Sequence, residues 1–128
     1  LGVNKMVEVD ILCVVQDGSA IKVATVGVNA CEKHLEDSIE LLITRLQNAS
    51  SRITEITENA EGDMVDMFMA ALSSYFLTQE EPLARVIMHI FGSAARHKDR
   101  VSCLLVKYQG ESKRVSIQIP SHIRVLRN

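Results

Sequence analysis

The sequence predicts an α+β domain: an antiparallel sheet of four or five strands, built from two hairpins, with three helices in the order ββ-ααα-ββ packed mainly on one face. Three observations carry this. Both ends hold β-branched runs interrupted by turn chemistry, the middle switches to helical periodicity, and no Pro- or Gly-rich linker divides the chain. With 128 residues, 47% hydrophobic and only two prolines, the chain fits a single domain over 1–128 with a core large enough to offset its ordering entropy.

Residues 7–16 (VEVDILCVVQ) alternate at first, Asp17-Gly18 supplies a turn, and a β-rich run resumes from Ile21 to Val28. Val7, Val9, Ile11, Cys13 and Val15 share one face of the first strand. On the other face Glu8 and Asp10 give way to Leu12 and Val14, the pattern of a strand that starts at an edge and runs under cover.

From Cys31 the period becomes helical. Leu35, Ile39, Leu42, Leu46, Ala49, Ile53, Ile56 and Ala60 step by alternating fours and threes, a heptad-like seam spanning about 38 Å at ~1.5 Å per residue. Such a seam packs either on the chain's own sheet or on a partner helix. Arg45 and Arg52 face Ser50 and Thr57 across the seam, so the ion-pair code of a coiled coil is missing, and Ile43 widens the stripe. After Gly62, Asp63 caps an expected second helix carrying Met64, Phe68, Leu72, Tyr75 and Phe76. Pro82 fits the first turn of a third, with Leu83, Val86, Ile87, Ile90, Phe91 and Ala94 on one side. Residues 101–108 read as a strand, a glycine turn follows over 109–112, and Val115, Ile117 and Ile119 alternate in its partner strand. Residues 1–5 read as an addition ahead of a native start at Met6. Residues 121–128 form a tail that either adds an extended segment through Ile123 and Val125 or frays.

Charge is uneven although the net is -2. Residues 1–81 hold five basic against fourteen acidic side chains, whereas residues 82–128 hold nine against two. The halves therefore attract each other, or the second presents a basic face to an acidic partner. No apolar run reaches the roughly 18 residues of a membrane span. Cys13, Cys31 and Cys103 form an odd set without paired spacing, which points away from a secreted disulfide framework and toward the cytoplasm.

Catalytic and metal chemistry finds little support. Gly18, Gly27 and Gly92 stand alone, with no phosphate-binding loop, and no GxSxG or HExxH occurs. Cys31, His34 and Asp37 are spaced by three, so they supply at most half a zinc site; a Cys31 nucleophile with His34 as its base is the other reading of the same residues. A solvated helix start, with Glu36 and Asp37 complementing the helix N-terminus, is the better explanation. We therefore expect no catalytic residue, no metal site and no cofactor.

The expected function is a non-catalytic protein–protein interaction or assembly module, a homodimer or a complex subunit acting through its helices. Its expected interface is Leu35, Ile39, Leu42, Leu46, Ile53 and Ile56 on the seam, with Met64, Met67 and Phe68 beyond it. The alternative is a sequence-nonspecific nucleic-acid binder using Arg96, Lys98, Arg100, Lys107, Lys113 and Arg114. Aromatic residues are only 4% of the chain, which leaves little for base stacking.

Overall fold

The computed structural model describes residues 2–59, 70, 81–97 and 101–119. In order they form β1 (Lys5–Val15), β2 (Ala20–Ala30), a 3-10 turn (Glu32–His34), α1 (Leu35–Asn59), α2 (Glu81–His97), β3 (Val101–Tyr108) and β4 (Glu111–Val115). The α+β class and an antiparallel sheet of four strands stand. Among the described residues there are two α-helices rather than three, in the order ββ-αα-ββ. The expected middle helix, with Met64, Phe68, Leu72, Tyr75 and Phe76, lies outside the described residues, as does the tail from residue 120.

Each hairpin turn follows from its residues. Asp17 Oδ1 accepts from the Ser19 amide at 2.8 Å and from the Ser19 hydroxyl at 2.6 Å, while Gly18 takes a φ of 88° that only glycine adopts cheaply. In the second hairpin Gln109 and Gly110 both have positive φ, 48° and 79°, and Tyr108 pairs with Glu111. That is a two-residue turn whose twist matches the flanking strands. The second strand consequently starts at Glu111 and ends at Val115, earlier than the alternation of Val115, Ile117 and Ile119 implies. Beyond it the Ser116 carbonyl accepts from Gln47 Nε2 of α1 at 3.0 Å. Ile117 and Ile119 still pack on the core, but outside the ladder.

The strand order is β2-β1-β3-β4. The two hairpins meet because β1 pairs antiparallel with β3, Ile11 opposite Val106 and Cys13 opposite Leu104. Val9, Ile11, Cys13, Leu104 and Val106 are wholly buried in one cluster with Ile39, Leu46 and Ile53 of α1 and Ile87, Ile90 and Phe91 of α2. On the far face, Asp10 accepts from the Thr25 hydroxyl at 2.8 Å and pairs with Lys22 at 3.9 Å. Farther along that face Leu12 is half-buried and Val14 buried, the expected passage from edge to cover.

The seam of α1 is buried in a corrected form. Its start is the 3-10 turn, so the α-helix begins at Leu35 rather than Cys31. The buried stripe runs through Leu35, Ile39, Ile43, Leu46, Ala49, Ser50, Ile53 and Thr54, whereas Ile56 is 42% exposed. A straight helix drifts about 20° per heptad against a strict seven-residue repeat. Over the three heptads from Leu35 this drift turns Ile56 outward and brings Ser50 and Thr54 inward. The apolar residues of this stripe pack in one core cluster with residues of the sheet and of α2.

Candidate functional site

The two edges of the sheet differ. β4 has five residues, three of them charged (Glu111, Lys113 and Arg114), and α1 holds the segment that follows it. Short, charged and covered edges resist pairing with other chains. β2 runs for eleven residues with no proline and with Lys22 as its one charged side chain. Among the described residues it pairs only with β1, which leaves a row of its backbone N–H and C=O groups without a strand partner there.

A groove runs beside this open edge, under the helices. Its first part, about 440 Å³, is lined by Val23, Ala24, Thr25, Val26 and Gly27 of β2 and by Arg85, Val86 and His89 of α2. The second, about 290 Å³, adds Val28 of β2, Ser38, Leu41, Leu42 and Arg45 of α1 and Leu83 of α2. The two parts share Val26, Gly27 and Val86. Helical spacing explains the lining: Ser38, Leu42 and Arg45 follow one another at i+4 and i+3 along a single flank of α1. Leu41, 53% exposed, stands at the outer rim. No carboxylate is among the described residues that line the groove.

The opposite flank of α1 is already occupied. Lys113 Nζ sits 2.8 Å from Glu36 Oε2 and 2.7 Å from Glu40 Oε1, and the Tyr108 hydroxyl donates to Glu36 Oε1 at 2.7 Å. This clamp ties the second hairpin to the helix. Donation from Lys113, and then from Tyr108, holds the Glu36 carboxyl below the usual carboxylate range. The two carboxylates hold Lys113 above its ordinary value, and burial, followed by the Glu36 contact, does the same for Tyr108. A depressed Glu36 stabilises the fold above the ordinary carboxylate range and loses that contribution as pH falls through its folded value. Raised Lys113 and Tyr108 contribute up to their ordinary ranges and lose it above. The urea midpoint is therefore expected to be flat through neutrality and to fall on both sides. Glu36→Gln should lower the neutral plateau modestly, since the carboxylate is exposed, and flatten the acid limb; an unchanged acid limb in that variant contradicts the assignment.

The residues singled out from sequence fall in different places. Leu35, Ile39, Leu46 and Ile53 are buried in the chain's own core, Leu42 is half-buried at the groove, and Ile56 is exposed. What α1 leaves accessible is therefore its groove flank. Met64, Met67 and Phe68 lie outside the described residues, as do Lys98 and Arg100. The remaining basic residues do not all share a face. Arg96 is exposed on α2, Lys107 and Arg114 are exposed on the sheet face away from the helices, and Lys113 points the other way into its two carboxylates. Arg114 Nη1 also donates to the Cys103 thiol at 3.4 Å.

Cys31 is buried at the entrance to the 3-10 turn, where its carbonyl accepts from the His34 amide at 3.0 Å, and both His34 and Asp37 are exposed. Among the described residues no group of three or more His, Cys, Asp or Glu side chains is placed to hold a metal ion. Burial pushes the Cys13 thiol up, against the Ser93 hydroxyl and the Arg96 guanidinium, which act the other way; a wholly buried thiol of this kind is a packing group. Sequence reasoning passed over the open β2 edge and the placing of Arg45, Arg85 and His89 beside it. Strand order decides both, and no local pattern encodes it.

The described elements define a four-stranded antiparallel sheet with helices against one face and, among the described residues, one edge open beside a groove. No helix among the described residues is long and apolar enough to cross a membrane. Comparison with protein-family models, with curated proteins and with solved structures finds no match to this chain.

Proposed function

We propose that this chain is a small non-catalytic interaction module, one subunit of a cytoplasmic assembly, that accepts an extended strand of a partner along β2. The observation that supports it is the combination of an eleven-residue edge that no described strand covers and an adjoining apolar groove. Strand addition uses these parts, with backbone hydrogen bonds supplying affinity and pockets for alternate side chains supplying specificity. α1 and α2 contribute through the flanks that wall the groove, while their apolar stripes are committed to the core. Three free cysteines fit a reducing compartment.

A peptide-display selection with the whole chain as bait tests this reading. Selected peptides are expected to slow amide exchange along residues 20–30. Failure to select any binder, or binders that protect only other elements, contradicts it.

A further inference from the structure

We infer that Asp17-Gly18, in the turn between β1 and β2, is a site of spontaneous covalent modification: Asp17 cyclises onto the Gly18 amide and reopens as isoaspartate, at a rate set by the hydrogen bonds of the turn. The reacting groups are neighbours, so ring closure needs only a local rearrangement. The Gly18 amide nitrogen attacks the side-chain carboxyl carbon of Asp17. The new N–Cγ bond closes a five-membered imide, and one carboxyl oxygen leaves as water, taking the amide proton and the carboxyl proton. Water then adds to the main-chain carbonyl carbon of Asp17 and the bond from that carbon to nitrogen breaks. The chain now runs through Cβ and Cγ, and the former main-chain carbon is a free carboxylate. The water released in the first step is matched by the water consumed in the second, and nothing is oxidised or reduced. The backbone gains one carbon just ahead of Ala20, the first residue of β2.

Sequence and exposure single out this bond. Every other Asp or Asn with a residue after it is followed by one that carries a side chain, and that side chain crowds the attacking amide. Gly18 carries none, and beyond its chain neighbours no atom lies within 4 Å of where a Cβ would stand. Asp17, Gly18 and Ser19 are all exposed, so water reaches the imide. Asp37-Ser38 is the nearest competitor, but it lies in the first turns of α1, where helical dihedrals hold the backbone away from the ring geometry. The turn restrains both reacting groups. The Gly18 amide donates to the Val15 carbonyl at 2.9 Å, and Asp17 Oδ1 accepts from the amide and the hydroxyl of Ser19. Attack requires the Gly18 nitrogen to leave the Val15 carbonyl. It therefore waits on opening of the hairpin end, a local event that costs less than unfolding the sheet.

Incubation of the whole chain in mildly acidic buffer, followed by enzymatic methyl labelling of isoaspartyl carboxylates and peptide mapping, tests the inference. Label is expected to accumulate in the peptide that holds residue 17 and to fall to background in Asp17→Ser, a variant that keeps a turn-forming side-chain oxygen. In guanidinium chloride, which holds the hairpin open, labelling is expected to rise severalfold. Ser19→Ala removes one of the two donors to Asp17; with its circular dichroism unchanged, it is expected to label faster than the parent in the folded state. Label that appears first at residue 37, that persists in Asp17→Ser, or that is absent from residue 17 in both the folded and the unfolded chain overturns the site. Equal rates with and without denaturant overturn the control by the turn.

Discussion

Ile53→Asp is expected to unfold the chain at every protein concentration, whereas Ile56→Asp leaves it folded. Ile53 is wholly buried and Ile56 is 42% exposed, although a strict heptad seam treats them alike. Truncating a buried isoleucine costs about 2–5 kcal/mol, and an unpaired buried carboxylate adds several more. Set against a total stability on the order of 5–15 kcal/mol, the sum removes the folded state. Circular dichroism at the helix band and light scattering on both variants separate the two uses of the seam. An Ile53→Asp chain that stays folded but changes mass would return α1 to a partner helix.

Phe91→Ala is expected to lower stability by about 3–5 kcal/mol, read as a large fall in urea midpoint with an unchanged slope. Phe91 is 2% exposed and packs in the same cluster as Ile87, Ile90 and Ala94 between helix and sheet. Few residues can collapse into the space it leaves, because the sheet beneath is fixed by pairing on both sides of β1 and β3. Met88, on the same helix but 51% exposed, sets the comparison: Met88→Ala is expected to stay within about 0.5 kcal/mol of the parent. Equal effects at the two positions would mean that α2 does not seat on the sheet by this face.

Much of the fold is legible in the residues because it is local. Asp17-Gly18 closes the first hairpin, Pro82 lies in the first turn of α2, and the stripe from Leu83 to Ala94 names the buried face of that helix before any tertiary contact is known. The seam of α1 was readable as apolar but not as to its partner, since 3.5- and 3.6-residue repeats diverge only over several turns; Ile56 and Ser50 show which one holds. The placing of the basic second half was hard to read for a related reason. Alternation along β4 sends Lys113 and Arg114 to opposite faces, and two acidic residues of a helix more than seventy positions earlier claim Lys113. The groove was the least legible part. It exists because β3 inserts beside β1 and leaves β2 outermost among the described strands, a choice made by long-range pairing that no run of residues states.

Everything assigned to the groove depends on β2 being an open edge in solution, and residue-resolved amide exchange of the free chain measures that directly. Amides of residues 20–30 that bond to β1 should exchange slowly and those that point outward should exchange quickly, an alternation that does not change with protein concentration. Uniform slow exchange along the whole of β2 would show the edge already covered and would contradict the proposed role.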